Sequence, residues 1–156
     1  MRILESHIDI DSTPEQVWAV LTDFPAFAHW NPFITSIAGS PFEGQRLAIT
    51  IQPPDARAMS FKPTVTGSEP NRHLAWLGRV GLPRIFDGAH EFTLEPNEHG
   101  GTSFTQRETF RGVLVPLLAG TLTHTLDGFE QMNEAIKQRA ESLTRTRAAL
   151  VRFARA

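Results

Sequence analysis

The sequence predicts an α+β fold: a curved, seven-stranded antiparallel sheet whose concave face is covered by one long C-terminal helix. Three observations predict it. Residues 33–110 hold six alternating apolar–polar runs, separated by closely spaced glycine- and proline-bearing turns, the mark of neighbouring antiparallel strands. After Gly112 the apolar period changes from two to three or four and holds to the late 140s, which predicts a single amphipathic helix. Residues 2–10 add a seventh alternating run ahead of two short helical segments, giving the order β-α-α-β-β-β-β-β-β-α.

Each element has a local cause. In "DSTPEQVW", Ser12 or Thr13 can cap a helix, Pro14 suits its first turn, and Glu15 and Gln16 complement its positive end. Val17, Trp18, Val20, Leu21 and Phe24 form the apolar face, and Pro25 ends the helix. "PAFAHWNPF" predicts a second short helix stopped by Pro32. The strands are expected at 33–38, 45–52, 58–66, 72–79, 84–95 and 102–111. Their separators are Gly39-Ser40-Pro41, Pro53-Pro54-Asp55, Gly67-Ser68-Glu69-Pro70, Gly81-Leu82-Pro83 and residues 96–101. The long helix carries Leu118, Leu122, Leu126, Phe129, Met132, Ile136, Ala140 and Leu143 on one stripe, and Gly120 and Gly128 weaken it locally and allow close packing or a bend. With no repeat or linker, residues 1–150 are expected to form one domain, followed by a tail at 151–156.

Composition narrows the chemistry. The 156 residues include no cysteine and no tyrosine, which excludes disulfides, thiolate catalysis, cysteine metal sites and a phenolic acid. A formal net charge of -2 gives no reason to expect nucleic acid as a partner. The basic C-terminal run "RTRAALVRFARA" reads as a solvated helix end. No apolar run approaches the roughly 18 residues of a membrane span, and "MRILESHIDI" alternates instead of forming a signal peptide. The expected location is cytoplasmic, and oligomeric state is left open. The histidines at 7, 29, 73, 90, 99 and 124 lack metal-ligand spacing, no triad or phosphate loop is present, and no cofactor is expected.

One residue in "FDGAHEFTLE" stands out. Alternation puts Phe86, Gly88, His90, Phe92 and Leu94 on a single face, which is apolar except for His90. The same phase turns inward Leu47, Ile49 and Ile51; Met59, Phe61, Pro63 and Val65; Leu74, Trp76 and Gly78; and Phe104, Gln106, Glu108 and Phe110. If 84–95 and 102–111 form a hairpin, parity allows two registers. One sets His90 opposite Glu108 and Phe92 opposite Gln106. The other sets His90 opposite Gln106, with Glu108 on the diagonal. In both, His90, Gln106 and Glu108 cluster, with opposed Cβ atoms about 5 Å apart. Unpartnered polar groups are costly to bury, which leaves three readings: a self-satisfied structural pair, polar anchors for an apolar ligand, or an acid/base pair. Gly78 and Gly88 remove side chains from the inner face and leave room for a void. Arg79 and Arg84 flank the turn at 81–83, where an acidic head group could dock, and His124 lies one residue from the helix stripe.

Particular runs add a resemblance: "STPEQVWAVLTDFPAFAHWNPFI", "LAWLGR", "FDGAHEFTLEP", "TSFTQRETFRGVLVP" and "GFEQMNEAIKQRAE". With their order, the chain resembles the START-like or SRPBCC superfamily, closest to its bacterial polyketide cyclase/dehydrase and lipid-transport proteins. The resemblance implies the helix-grip fold, with a ligand cavity between the sheet and the long helix. The preferred function is binding of a small hydrophobic or amphipathic molecule, for transport or sequestration. Its expected contacts are Trp30, Phe33, Ile49, Phe61, Trp76, Phe86, His90, Phe92, Gln106, Glu108, Phe110, Leu122 and Phe129, with Trp30 either at the rim or buried as a helix-end tryptophan. The rival is a cofactor-independent cyclase, dehydratase or hydrolase with His90 and Glu108 as catalytic acid/base candidates. A co-chaperone-like protein-binding module is a third possibility by fold analogy.

Overall fold

A computed structural model describes residues 1–80 and 84–154; the expected turn Gly81-Leu82-Pro83 lies outside them. Eight strands form two sheets. In chain order they are β1 (Arg2–Ile10), β2 (Ile34–Ala38), β3 (Ala48–Ile51), β4 (Met59–Phe61), β5 (Thr64–Glu69), β6 (His73–Val80), β7 (Phe86–Pro96) and β8 (Thr102–Arg111). The helices are α1 (Pro14–Thr22), α2 (Phe27–Trp30) and α3 (Ala119–Phe153), with 3-10 turns at Phe24–Ala26 and Val115–Leu118. One sheet runs β1-β8-β7-β6-β5 and the other β2-β3-β4.

The strand count corrects the expected seven. The run 58–66 is cut at Lys62-Pro63, because proline has no N–H to continue a ladder. β4 pairs with β3 up to Phe61, opposite Ile49; β5 starts one residue after Pro63 and pairs with β6. The chain therefore switches sheets at Pro63, as strands do at the corners of strongly bent sheets. Residues 44–47 bridge the gap: the Leu47 N–H donates to the Pro63 carbonyl at 2.9 Å, and the Val65 N–H to the Gln45 carbonyl at 2.9 Å. The two sheets thus continue one curve around α3.

Thr13 begins α1, its N–H bonded to Gln16 Oε1 at 2.9 Å. Ser12 ties strand to helix instead: its hydroxyl lies 2.9 Å from Thr144 Oγ1 on α3, and its carbonyl accepts from Thr102 Oγ1 at 2.7 Å. The predicted helix stripe is the core contact. Leu122, Phe129, Met132, Ile136 and Ala140 are buried, whereas Leu143 is 45% exposed. The side chain of Leu118 lies outside the described set. Past Ala140 the stripe has run off the sheet, yet the helix continues to Phe153, so residues 151–153 of the expected tail are helical.

Most of the predicted inner face is buried: Leu47, Ile49, Val65, Leu74, Trp76, Phe92, Leu94, Phe104 and Phe110 belong to one core, Ile51, Phe61 and Phe86 are partly buried against it, and Met59 is exposed. Gly128 permits the tightest contact. A Cβ there would overlap the Phe33 ring, which packs edge-on against Phe129 with centroids 5.6 Å apart.

Candidate functional site

The β7–β8 hairpin settles the register in favour of His90 opposite Glu108 and Phe92 opposite Gln106. Parity alone had put all three polar groups on the concave face; the structure divides them.

Gln106 is fully buried and reaches α3, not His90. Its Nε2 donates to Asn133 Oδ1 at 2.6 Å and to the Phe129 carbonyl at 3.2 Å. Asn133 Nδ2 passes the chain on to Ser6 Oγ at 3.0 Å. This corrects the three-residue cluster: Gln106 belongs to a strut joining β8, α3 and β1. Asn133 went unnoticed in the sequence, although it stands four residues after Phe129 and three before Ile136, on the helix stripe itself.

His90 sits in an aromatic cage. It stacks on Trp76 at 5.3 Å with 19° between planes, meets Phe129 edge-on at 5.0 Å and lies 4.5 Å from Phe92. Its Nδ1 is 3.5 Å from Glu108 Oε2, and its buried Nε2 has no hydrogen-bond partner. A nitrogen facing a carboxylate is favourable only with a proton between them, which assigns N–H to Nδ1 when Glu108 is ionised.

Glu108 is the member that reaches open space. A cavity of about 450 Å³ lies between the sheet and the first turns of α3. Its walls are Ile51, Met59, Ser60 and Phe61 from β3 and β4, Gly78 and Arg79 from β6, Phe86 and Gly88 from β7, Glu108 and Phe110 from β8, and Leu122 and Thr125 from α3. Two glycines stand on its wall, and the Phe61 ring covers one of them, 3.4 Å from where a Cβ on Gly78 would be. Gly78 and Gly88 are direct cross-strand partners, so two adjacent inward positions carry no side chain. The Glu108 carboxylate occupies part of that gap: a Cβ on Gly88 would stand 2.8 Å from Oε1. Phe86 and Phe110 stack at 5.4 Å beside it.

Of the residues expected to contact a ligand, Phe61, Phe86, Glu108, Phe110 and Leu122 line this cavity. His90 stands one layer behind Glu108. Phe33, Ile49, Trp76, Phe92 and Phe129 are buried in the core and do not line this cavity. Trp30 is elsewhere. It packs on Phe27 at 4.9 Å and lines a second cleft, about 400 Å³, between α1 and the C-terminal part of α3. Ser60 and Thr125 were missed; a short strand and a helix position beside the stripe gave no polar signal. Arg79 is at the rim, half exposed, its Nε 3.7 Å from Asp87 Oδ1. Arg84 and His124 do not line the cavity. Among the described residues, no three His, Asp or Glu side chains converge as a metal site would require.

A single long helix gripped by a curved sheet, with a partly open apolar cavity beneath it, defines a START-like protein of the SRPBCC superfamily. More particularly, residues 1–141 match the family described as polyketide cyclase / dehydrase and lipid transport, and the chain belongs to it. Among solved structures, it is similar to the Zhui aromatase/cyclase from Streptomyces sp. R1128, with 13% identity and a TM-score of 0.73 over 90% of this chain and 93% of that one. A START superfamily protein from Mycobacterium smegmatis gives 18% identity and a TM-score of 0.67 over 90% and 98%. A protein from Thermus thermophilus gives 13% and 0.71 over 91% and 99%. At such identities the likeness establishes the fold alone. No curated protein matches the chain. No helix among the described residues is long and apolar enough to cross a membrane.

Proposed function

We propose that the protein binds one small hydrophobic or amphipathic molecule in the cavity between the sheet and the start of α3. The observation that carries this reading is the cavity of about 450 Å³, walled mainly by rings and aliphatic side chains, with one carboxylate on its inner wall. That volume falls within the roughly 300–1,000 Å³ of small-molecule pockets, which pair apolar walls with a few placed polar groups. The family description spans cyclisation, dehydration and lipid transport, and space for an apolar molecule is common ground among them. Native mass spectrometry and solvent extraction of the purified protein test it. Either a co-purifying apolar molecule or saturable binding from a broad library is expected; finding neither would overturn the reading.

A second reading is favoured by one feature, the Glu108 carboxylate facing the cavity with His90 Nδ1 at 3.5 Å behind it. Such a pair can move a proton on a bound substrate. With a substrate in hand, Glu108→Gln and His90→Ala would then abolish turnover while retaining binding. Undiminished turnover in both variants would reject proton transfer by this pair.

A further inference from the structure

We infer that the cavity selects a ligand ending in a hydrogen-bond donor, a hydroxyl or a protonated amine, and rejects one ending in a free carboxylate. This rests on the binding reading above and names the chemistry of its ligand. Glu108 has a side chain only 15% exposed, and an ionised carboxyl can accept about four hydrogen bonds. Among the described residues it has one polar contact, the 3.5 Å approach to His90 Nδ1, longer than the roughly 2.7–2.9 Å of a good charge-assisted bond. No hydrogen bond from another described residue reaches either oxygen. The His90 contact holds the carboxylate against the gap left by Gly88 without satisfying it.

Leaving such an acceptor short of donors in apolar surroundings is costly, and a ligand donor arriving from the cavity supplies what the protein withholds. A carboxylate arriving there meets like charge instead. Among the described residues, the one cation on the wall is Arg79, at the rim beside Asp87, where an acid head group would remain in water.

The test uses one skeleton with four head groups, namely methylnaphthalene, naphthylmethanol, naphthylmethylammonium and naphthoate, titrated against the folded protein and Glu108→Gln. The ammonium probe should bind at least about tenfold tighter than methylnaphthalene, the alcohol should fall between them, and naphthoate should be weakest. Glu108→Gln should remove most of the ammonium advantage, read as the ratio of ammonium to methylnaphthalene affinity within each protein. If methylnaphthalene binds but the head group makes no difference, or naphthoate binds as well as the ammonium, the donor preference is wrong while cavity binding stands. If no probe binds, cavity binding falls and the preference with it. The wild-type ranking decides the question even if the variant does not fold.

Discussion

The same alternating pattern runs the length of β7 and β8, yet the two ends of the space they enclose differ. Toward Phe92, Phe104 and Phe129 most inward positions carry large side chains, and rings pack on rings in the core. Toward Gly78, Gly88 and Phe110 two facing positions carry none, and a cavity opens with a carboxylate in it. The cavity thus lies beside the glycine pair, and the filled core beside the rings.

That contrast can be broken at the core end with the largest effect. Phe129→Ala removes a ring with no exposed surface that touches both Phe33 and His90. It should cost about 3–5 kcal/mol, read as a lowered midpoint in urea denaturation. Gly128→Ala adds one methyl group where the Phe33 ring already lies. Overpacking of this kind should cost about 1–3 kcal/mol, and an additional Phe33→Leu should recover part of it; no loss on Gly128→Ala would mean the helix is not held that close.

At the cavity end the equivalent change should hardly affect folding. A methyl group on Gly88 meets Glu108 Oε1 at 2.8 Å, the tip of a flexible side chain beside open space. Gly88→Ala should alter stability by less than about 1 kcal/mol, within the range of tolerated surface changes and glycine replacements, while weakening any ligand that reaches Glu108.

The smallest effect lies beyond both ends, where α3 has left the sheet. The Asp11 N–H bonds to Glu141 Oε1 at 3.0 Å and, with help from Lys137, holds the Glu141 carboxyl below its ordinary value of 4.5. A carboxyl depressed on folding stabilises above its unfolded value and loses that contribution as pH falls through the folded one. The stability difference between the wild type and Glu141→Gln should thus be level at neutral pH and shrink below about 4.5. A difference that persisted unchanged to lower pH would show that the charge is not the cause.

The sequence made the two ends legible to different degrees. Period-two counting placed the whole inner row, including the Gly78–Gly88 gap, because pleating fixes the face of each residue. Parity left two registers for the hairpin, and one of them is realised with His90 against Glu108. What it could not read was reach. A long side chain on the correct face can bond sideways or across to the helix, and Gln106 goes across to Asn133. Asn133 was hidden because one polar residue in an apolar stripe resembles noise until its partner is known. The strand break at Pro63 did have a signal, the missing N–H, but the residue also fits the alternation as an inward apolar position. Trp30 was expected at the rim from the family resemblance, but its ring packs on Phe27 of the same short helix and lines the other cleft.

The central claim, that the glycine-lined gap is the ligand site, is met most directly by a ¹H–¹⁵N correlation titration with methylnaphthalene. Saturable shifts should concentrate at Gly78, Phe86, Gly88, Glu108, Phe110 and Leu122, leaving the core around Phe104 and Ile136 largely unmoved. Shifts confined to Val20, Trp30, Leu143 and Leu150 in the other cleft, or no saturable shifts at all, would contradict it.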